Sequence, residues 1–109
     1  MDILIHADGI VLSEDMKGAI EEKIARVEQY APRAVRSRVN LRKTSAHPSV
    51  RQYQVRVVCE VPGRDVSAEE HGPDPLSALD VAAGKIERQL RKRKTALLAR
   101  RTKRTKKMT

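Results

Sequence analysis

Residues 52–61 read QYQVRVVCEV, and every second side chain in this stretch is apolar. The apolar positions are Tyr53, Val55, Val57, Cys59 and Val61. A period of two is typical of a strand with one buried face. Residues 34–44 alternate in the same way, and the turn-forming residues 45–49 separate the two stretches. The sequence therefore predicts an antiparallel hairpin of two half-buried strands.

Shorter patterns on both sides of the hairpin predict two more strands and a helix. Residues 3–7 and 65–70 have the composition and alternation of strands. Between the first strand and the hairpin, apolar residues recur at helical spacing. Ser13 is a good N-cap for that helix, and Pro32 is predicted to stop it.

A second helix is predicted after the last strand. Asp74 is a suitable N-cap, and Pro75 suits the first helical position. The apolar stripe of this helix ends at Leu90, and the next position on the stripe is Lys94. We therefore expect the helix to cover the sheet as far as Leu90 and then to extend beyond it. Residues 100–109 are almost wholly Lys, Arg and Thr, which predicts a flexible basic tail.

The element order is β-α-β-β-β-α, which predicts an α+β fold. Its four-stranded sheet carries two helices packed on one face, as in double-stranded-RNA-binding domains. A chain of 109 residues suits one domain, here residues 1–99, followed by the tail at 100–109. The core must be aliphatic, because the chain has no Trp and no Phe.

The positive charge is concentrated in the last quarter of the chain. Residues 85–109 carry twelve Lys or Arg against one acid, whereas residues 1–84 have a net charge of −2. This distribution is typical of a protein that docks on a polyanion. With only two Tyr as aromatic residues, recognition of RNA by base stacking is limited, which argues against an RNA-recognition motif.

Two groups of basic residues are candidates for binding phosphate. The hairpin places four arginines on the open face of the sheet: Arg36, Arg38, Arg42 and Arg56. On the second helix Lys85, Arg88 and Lys92 share the side away from the core, flanked by Arg91, Arg93 and Lys94. Guanidinium groups bind phosphate bidentately, and such binding weakens steeply with salt.

Other chemistries find no support in the sequence. Cys59 is the single cysteine and lies on the apolar side of its strand, so we expect it to be a buried small hydrophobic residue. The three His have no metal-ligand spacing, and there is no glycine-rich phosphate loop or nucleophile elbow. We expect no enzyme, cofactor or metal, no small-molecule substrate, no membrane segment, and a cytoplasmic location.

The two helices resemble those of the ribosome hibernation promoting factors, a family also called ribosome-associated translation inhibitors, ribosomal subunit interface proteins or sigma-54 modulation proteins. The matching stretches are residues 19–28, AIEEKIARVE, and residues 85–94, KIERQLRKRK. The step Ala78-Leu79-Asp80 and the strand at 64–70 leading through Gly72 to Asp74 also fit. The resemblance covers roughly residues 1–98.

The resemblance implies binding in the channel of the small ribosomal subunit that mRNA and the A- and P-site tRNAs occupy. Such factors contact small-subunit ribosomal RNA through basic residues, inhibit translation and protect idle ribosomes. Carried over by position, the contacts are Lys23 and Arg26 in the first helix and Lys85, Arg88, Arg91, Lys92 and Lys94 in the second.

This chain departs from the family pattern at two places. Pro75-Leu76 stands where the family often has an aromatic residue, and the long form's dimerising domain is replaced by a basic tail. The resemblance is thus to the short form, with a monomer expected for the free protein.

Two alternatives from other classes remain open. A general double-stranded-RNA-binding module has the same element order and would bind isolated duplex RNA tightly. A protein-binding transcription regulator would bind its partner in a salt-tolerant way and would lose little on removal of the charges at 88–94.

Overall fold

The computed structural model describes the backbone of residues 2–44 and 52–108, and the side chains of residues 2–44 and 52–93. It confirms the predicted element order, β-α-β-β-β-α. The elements are β1 Asp2–Asp8, α1 Glu14–Glu28, β2 Arg36–Lys43, β3 Tyr53–Glu60, β4 Val66–Gly72 and α2 Pro75–Met108. The turn predicted at residues 45–49 lies outside the described residues.

The four strands form one mixed sheet in the order β1-β2-β3-β4. The predicted hairpin is confirmed, because β2 and β3 are antiparallel neighbours. β3 and β4 are also antiparallel. β1 pairs with β2 in parallel, and such a pair needs a crossover, which α1 supplies. The turn between β3 and β4 uses Gly63 at a φ of 94°, a conformation that favours glycine.

Both helices pack on one face of the sheet, as predicted. The core between the helices and the sheet contains Ile20, Leu79 and Ile86, each 0% exposed. Cys59 is buried on the helix side of β3, which confirms its predicted position. Val35 belongs to the apolar side of the alternation at 34–44, which predicts that it faces this core, but it is exposed, because β2 begins only at the next residue.

The ends of α1 follow from its terminal residues. The Ser13 hydroxyl accepts a hydrogen bond of 3.1 Å from the Met16 amide, which confirms the predicted N-cap. The helix ends at Glu28, four residues before Pro32, and a turn lies between them. The helix therefore ends before it reaches the proline. Pro32 was predicted to end it because proline lacks an N–H donor.

α2 begins as predicted, with Asp74 as its cap. One carboxylate oxygen of Asp74 accepts from the Ser77 amide at 2.9 Å, and the other accepts from the Ser77 hydroxyl at 2.7 Å. α2 has 34 residues, a length of about 51 Å, so it extends well beyond the sheet. Among the described side chains, Leu90 is the last buried residue of α2. The boundary at residue 99 and the flexibility of the tail stay predictions.

Replacing Asp74 by alanine should lower the free energy of unfolding by about 1 kcal/mol at neutral pH. The hydrogen bonds from Ser77 lower the pKa of Asp74 below its ordinary value of 3.8. A lowered folded-state pKa means that the stabilisation is present above the unfolded pKa and is lost as pH falls through the folded one. Urea unfolding should therefore show a difference between the two proteins that shrinks on acidification below that value.

The matched control for this prediction is Asp65→Ala, because Asp65 is exposed and precedes β4 outside any helix. This change should alter the stability by less than about 0.5 kcal/mol. If the stability difference between Asp74→Ala and the wild-type protein stayed the same in acid, the stabilisation could not come from the ionised carboxylate of Asp74.

Candidate nucleic-acid interface

The open face of the sheet carries the four arginines that the alternation predicted. Arg36, Arg38 and Arg42 are separated by even numbers of residues along β2, so they lie on the same side of the strand, and all are exposed. Arg56 of β3 lies directly opposite Asn40 of β2, which places it on the same face. The predicted grouping of these side chains is therefore confirmed, while their contact with RNA stays a prediction.

The sheet register adds carboxylates to this face that the hairpin alone does not reveal. Asp2 and Asp8 lie on β1 opposite Arg36 and Arg42, and Glu69 lies on β4 opposite Arg56. With Glu60 of β3, four carboxylates accompany the four arginines.

Two of these four carboxylates, Glu60 and Asp8, pair with three of the arginines. One oxygen of Glu60 lies 3.7 Å from Nε of Arg36 and 3.3 Å from Nε of Arg38. Nε of Arg42 lies 4.0 Å from Asp8. The open face is therefore close to charge-balanced, and its attraction for a polyanion is smaller than four arginines alone would give.

The outer side of α2 presents a different electrostatic picture. Lys85, Arg88 and Lys92 are exposed, as predicted, and their spacing of three and four residues makes them neighbours on one helix side. Lys85 forms an ion pair with Glu70 of β4. Among the described residues, Arg88 and Lys92 have no ion pair, so their charges are not neutralised within the part of the chain that the structure describes.

Arg91 is held by an aromatic contact. Its guanidinium carbon lies 5.4 Å from the centre of the Tyr30 ring, which follows the end of α1. This is within the range of a cation–π interaction. The contact joins α2 to α1 and limits the conformations of the arginine. Sequence patterns did not indicate it, because Tyr30 and Arg91 are far apart in the chain.

The last two candidates of α2 differ from each other. Arg93 is half-buried rather than on the outer side of the helix, since it lies close to the apolar stripe. The side chain of Lys94 lies outside the described residues, so its role stays a prediction.

The two candidates of α1 both have acidic partners. Lys23 forms an ion pair with Asp80 of α2, and Arg26 bonds to Glu22 one turn earlier at 3.0 Å. The first pair links residues that are far apart in sequence, so local patterns could not reveal it. A groove of about 150 Å³ lies beside these residues, between the two helices.

A small polar group lies in the core near the end of α1. The hydroxyl of the buried Ser37 donates to Glu28 at 3.4 Å, and Ser37 lies opposite Cys59 in the sheet. Burial raises the pKa of the Glu28 carboxyl and that of the Cys59 thiol. For the thiol, the nearby Ser37 hydroxyl and the charge of Arg93 act in the opposite direction. A buried thiol with a raised pKa is a poor nucleophile.

The described part of the chain has neither a group of metal-binding side chains nor a helix that could span a membrane. No three His, Cys, Asp or Glu side chains among residues 2–44 and 52–93 are grouped so that they could hold a metal ion. Within the same residues, no helix is both long and apolar enough to cross a membrane.

The chain belongs to the sigma 54 modulation protein / S30EA ribosomal protein family, whose model matches residues 3–97. It is similar to the ribosome hibernation promotion factor of Deinococcus radiodurans, with 36% identity over 92 residues, covering 84% of this chain and 48% of the relative. The factor of the same name from Staphylococcus aureus is 32% identical over 101 residues, with coverage of 85% and 48%. The chain thus spans about half the length of these curated relatives.

Solved structures show the same fold. A ribosomal subunit interface protein from Coxiella burnetii matches with a TM-score of 0.75 and 20% identity, covering 87% of this chain and 99% of that one. The N-terminal domain of Protein Y from Thermus thermophilus matches with a TM-score of 0.71 and 22% identity, covering 84% and 98%. These similarities confirm the predicted fold class and, with the family match, the resemblance found in the sequence.

Proposed function

We propose that this chain is a ribosome hibernation factor, which binds the small ribosomal subunit in the mRNA and tRNA channel and blocks translation. Membership of the family and the names of the two curated relatives support association with the ribosome. Those names describe ribosome-associated factors rather than enzymes, in agreement with the prediction that the chain is not an enzyme. The proposal includes contact with ribosomal RNA, action in the cytoplasm under stress, and a free protein that is monomeric.

The observation that supports the RNA contact is a pair of charges on the outer side of α2 that have no ion pair within the described part of the chain. Arg88 and Lys92 lie one turn apart on a rigid helix, with Arg91 between them. Phosphates spaced along an RNA backbone would neutralise such a row and release the cations condensed on the RNA. The helix fixes the backbone spacing of the row, so the conformational entropy lost on binding is that of the side chains alone.

The sheet arginines have a smaller role in this proposal than the sequence alone suggested. To bind phosphate, Arg36, Arg38 and Arg42 would first have to give up their carboxylate partners, Glu60 and Asp8. The same carboxylates would repel the incoming phosphates. We therefore assign the main RNA contact to α2 and a secondary one to the sheet.

The proposed mechanism is steric occlusion. A compact domain with a basic helix fills a channel whose walls are RNA, and it recognises phosphate positions and shape. This mode of binding fits an aromatic-poor chain, because it needs few stacking side chains.

Occlusion is tested by occupancy of the channel. Small subunits that carry mRNA and P-site tRNA should bind this protein at least about tenfold more weakly than empty subunits, because the ligands compete for one space. Binding is measured with a fluorescently labelled protein, and cell-free translation should fall in parallel with the fraction bound. Equal binding to loaded and empty subunits would rule out the channel as the site. A duplex RNA competitor in the same assay separates this proposal from a general double-stranded-RNA-binding module.

A further inference from the structure

The groove between the two helices has a lining that combines opposite charges with apolar and small residues. Its walls carry two cations from α1, Lys23 and Arg26, and two carboxylates from α2, Asp80 and Glu87. Val27, Ala83 and Gly84 complete the lining. The row of positive charge on the outer side of α2 runs beside it, so an RNA strand bound there would pass close to the groove.

The charges of the groove indicate what kind of group it can hold. Lys23 is already paired with Asp80 and Arg26 with Glu22, so a phosphate would find both cations engaged and would also meet the carboxylate of Glu87. The edge of a nucleobase, by contrast, carries hydrogen-bond donors and acceptors side by side. Carboxylates accept from the exocyclic amino groups of bases, and lysine or arginine donates to ring nitrogen and carbonyl acceptors. The mixed lining therefore matches a base edge better than a phosphate.

Gly84 adds a second argument. Glycine in the interior of a helix destabilises it relative to alanine. A Cβ added at Gly84 would meet no atom within 4 Å, so packing within the described protein does not require the glycine. Gly18 of α1 has equally open surroundings, but it does not line the groove. At Gly84 the missing side chain keeps the floor of the groove open for a group that comes close to the helix backbone.

We propose that the groove receives one unpaired nucleobase of RNA, bearing an exocyclic amino group that faces Glu87, with the ring over Gly84. This inference rests on the proposed function and adds a base contact to the phosphate contacts. The volume of about 150 Å³ is below the roughly 300–1,000 Å³ of pockets that enclose whole ligands. A single ring of a larger molecule, anchored elsewhere by its backbone, is the occupant that fits.

The first test is Gly84→Ala against Gly18→Ala, with binding to purified small ribosomal subunits as the readout. Both changes should raise the melting temperature, because both replace a helical glycine whose Cβ has space. Gly84→Ala should nevertheless weaken binding by about tenfold, the scale of one lost hydrogen-bonded base contact, while Gly18→Ala should leave it unchanged. A loss of binding in a stabilised protein cannot result from misfolding. Equal binding by the two variants would overturn the proposal.

The second test is Glu87→Gln, which distinguishes a base from a phosphate by the direction of the change. If a base amino group donates to Glu87, loss of the charged acceptor should weaken binding by about fivefold. The dependence of affinity on salt should not change, because a base contact releases no condensed cations. Stronger binding by the variant would instead mean that the carboxylate repels a phosphate, and the proposal would be wrong. If the wild-type protein does not bind subunits at all, the proposed function itself fails, which is a distinct result.

Discussion

Replacing Arg88, Arg91 and Lys92 together by alanine should weaken binding to the small ribosomal subunit by about 100-fold or more at about 0.1 M salt. Arg88 lies one turn before Arg91 and Lys92 on α2, and all three are exposed. Arg88 and Lys92 have no ion pair among the described residues. Each phosphate contact that is lost also reduces the slope of log affinity against log salt by roughly 0.7 to 0.9. The slope of the variant should therefore fall by about 2 to 3.

The sheet offers a control with the same change in charge. Replacing Arg36, Arg38 and Arg42 by alanine also removes three positive charges, but from a surface where carboxylates already pair with them. We expect this variant to bind within about tenfold of the wild-type protein, because long-range attraction is screened at that salt concentration. Thermal unfolding of both variants should show that they remain folded. Equal loss of affinity in the two variants would mean that total charge, rather than the α2 surface, determines binding.

The second large effect concerns stability. Leu79→Ala should lower the free energy of unfolding by about 3 kcal/mol, measured by urea denaturation. Leu79 is 0% exposed and packs in the core between α2 and the sheet, so the change removes apolar contacts and leaves a cavity. Domains of this size have a total stability of about 5–15 kcal/mol, and the variant should be partly unfolded at elevated temperature.

The control for the core is Val81→Ala on the same helix. Val81 is 52% exposed, so its truncation loses little burial and gains helix propensity. Its stability should stay within about 0.5 kcal/mol of the wild-type value. A loss at Val81 as large as that at Leu79 would contradict the orientation of α2 on the sheet.

The sequence predicted the elements because each has a strong local signal. The alternation at 52–61 predicted β3, and Ser13 and Asp74 marked the starts of both helices, as their caps confirm. Local signals were weaker at ends that depend on tertiary packing. α1 stops before Pro32, and Val35 lies outside β2 despite its apolar side chain.

The electrostatics of the candidate surfaces depended on contacts between distant residues. The open face looked basic because only the two hairpin strands were considered, whereas the edge strands bring Asp2, Asp8 and Glu69 beside the arginines. In the same way, the ion pair of Lys23 with Asp80 joins two helices that are far apart in sequence. A periodic pattern fixes which side of an element a residue occupies, but its neighbours across strands depend on register.

The α2 surface was more predictable than the sheet. The spacing of Lys85, Arg88 and Lys92 places them on one side of a helix whatever the tertiary structure around it. The structure agrees with that placement and adds the ion pair of Lys85 with Glu70. It also adds the contact of Arg91 with Tyr30, for which no sequence signal exists.

Whether this protein acts on the small ribosomal subunit is decided by co-sedimentation of the chain with purified small and large subunits in sucrose gradients, across a salt series. We expect saturable, one-to-one binding to the small subunit that weakens steeply as salt rises, and no comparable binding to the large subunit. A protein that stays at the top of the gradient with small subunits at low salt would contradict the proposed function.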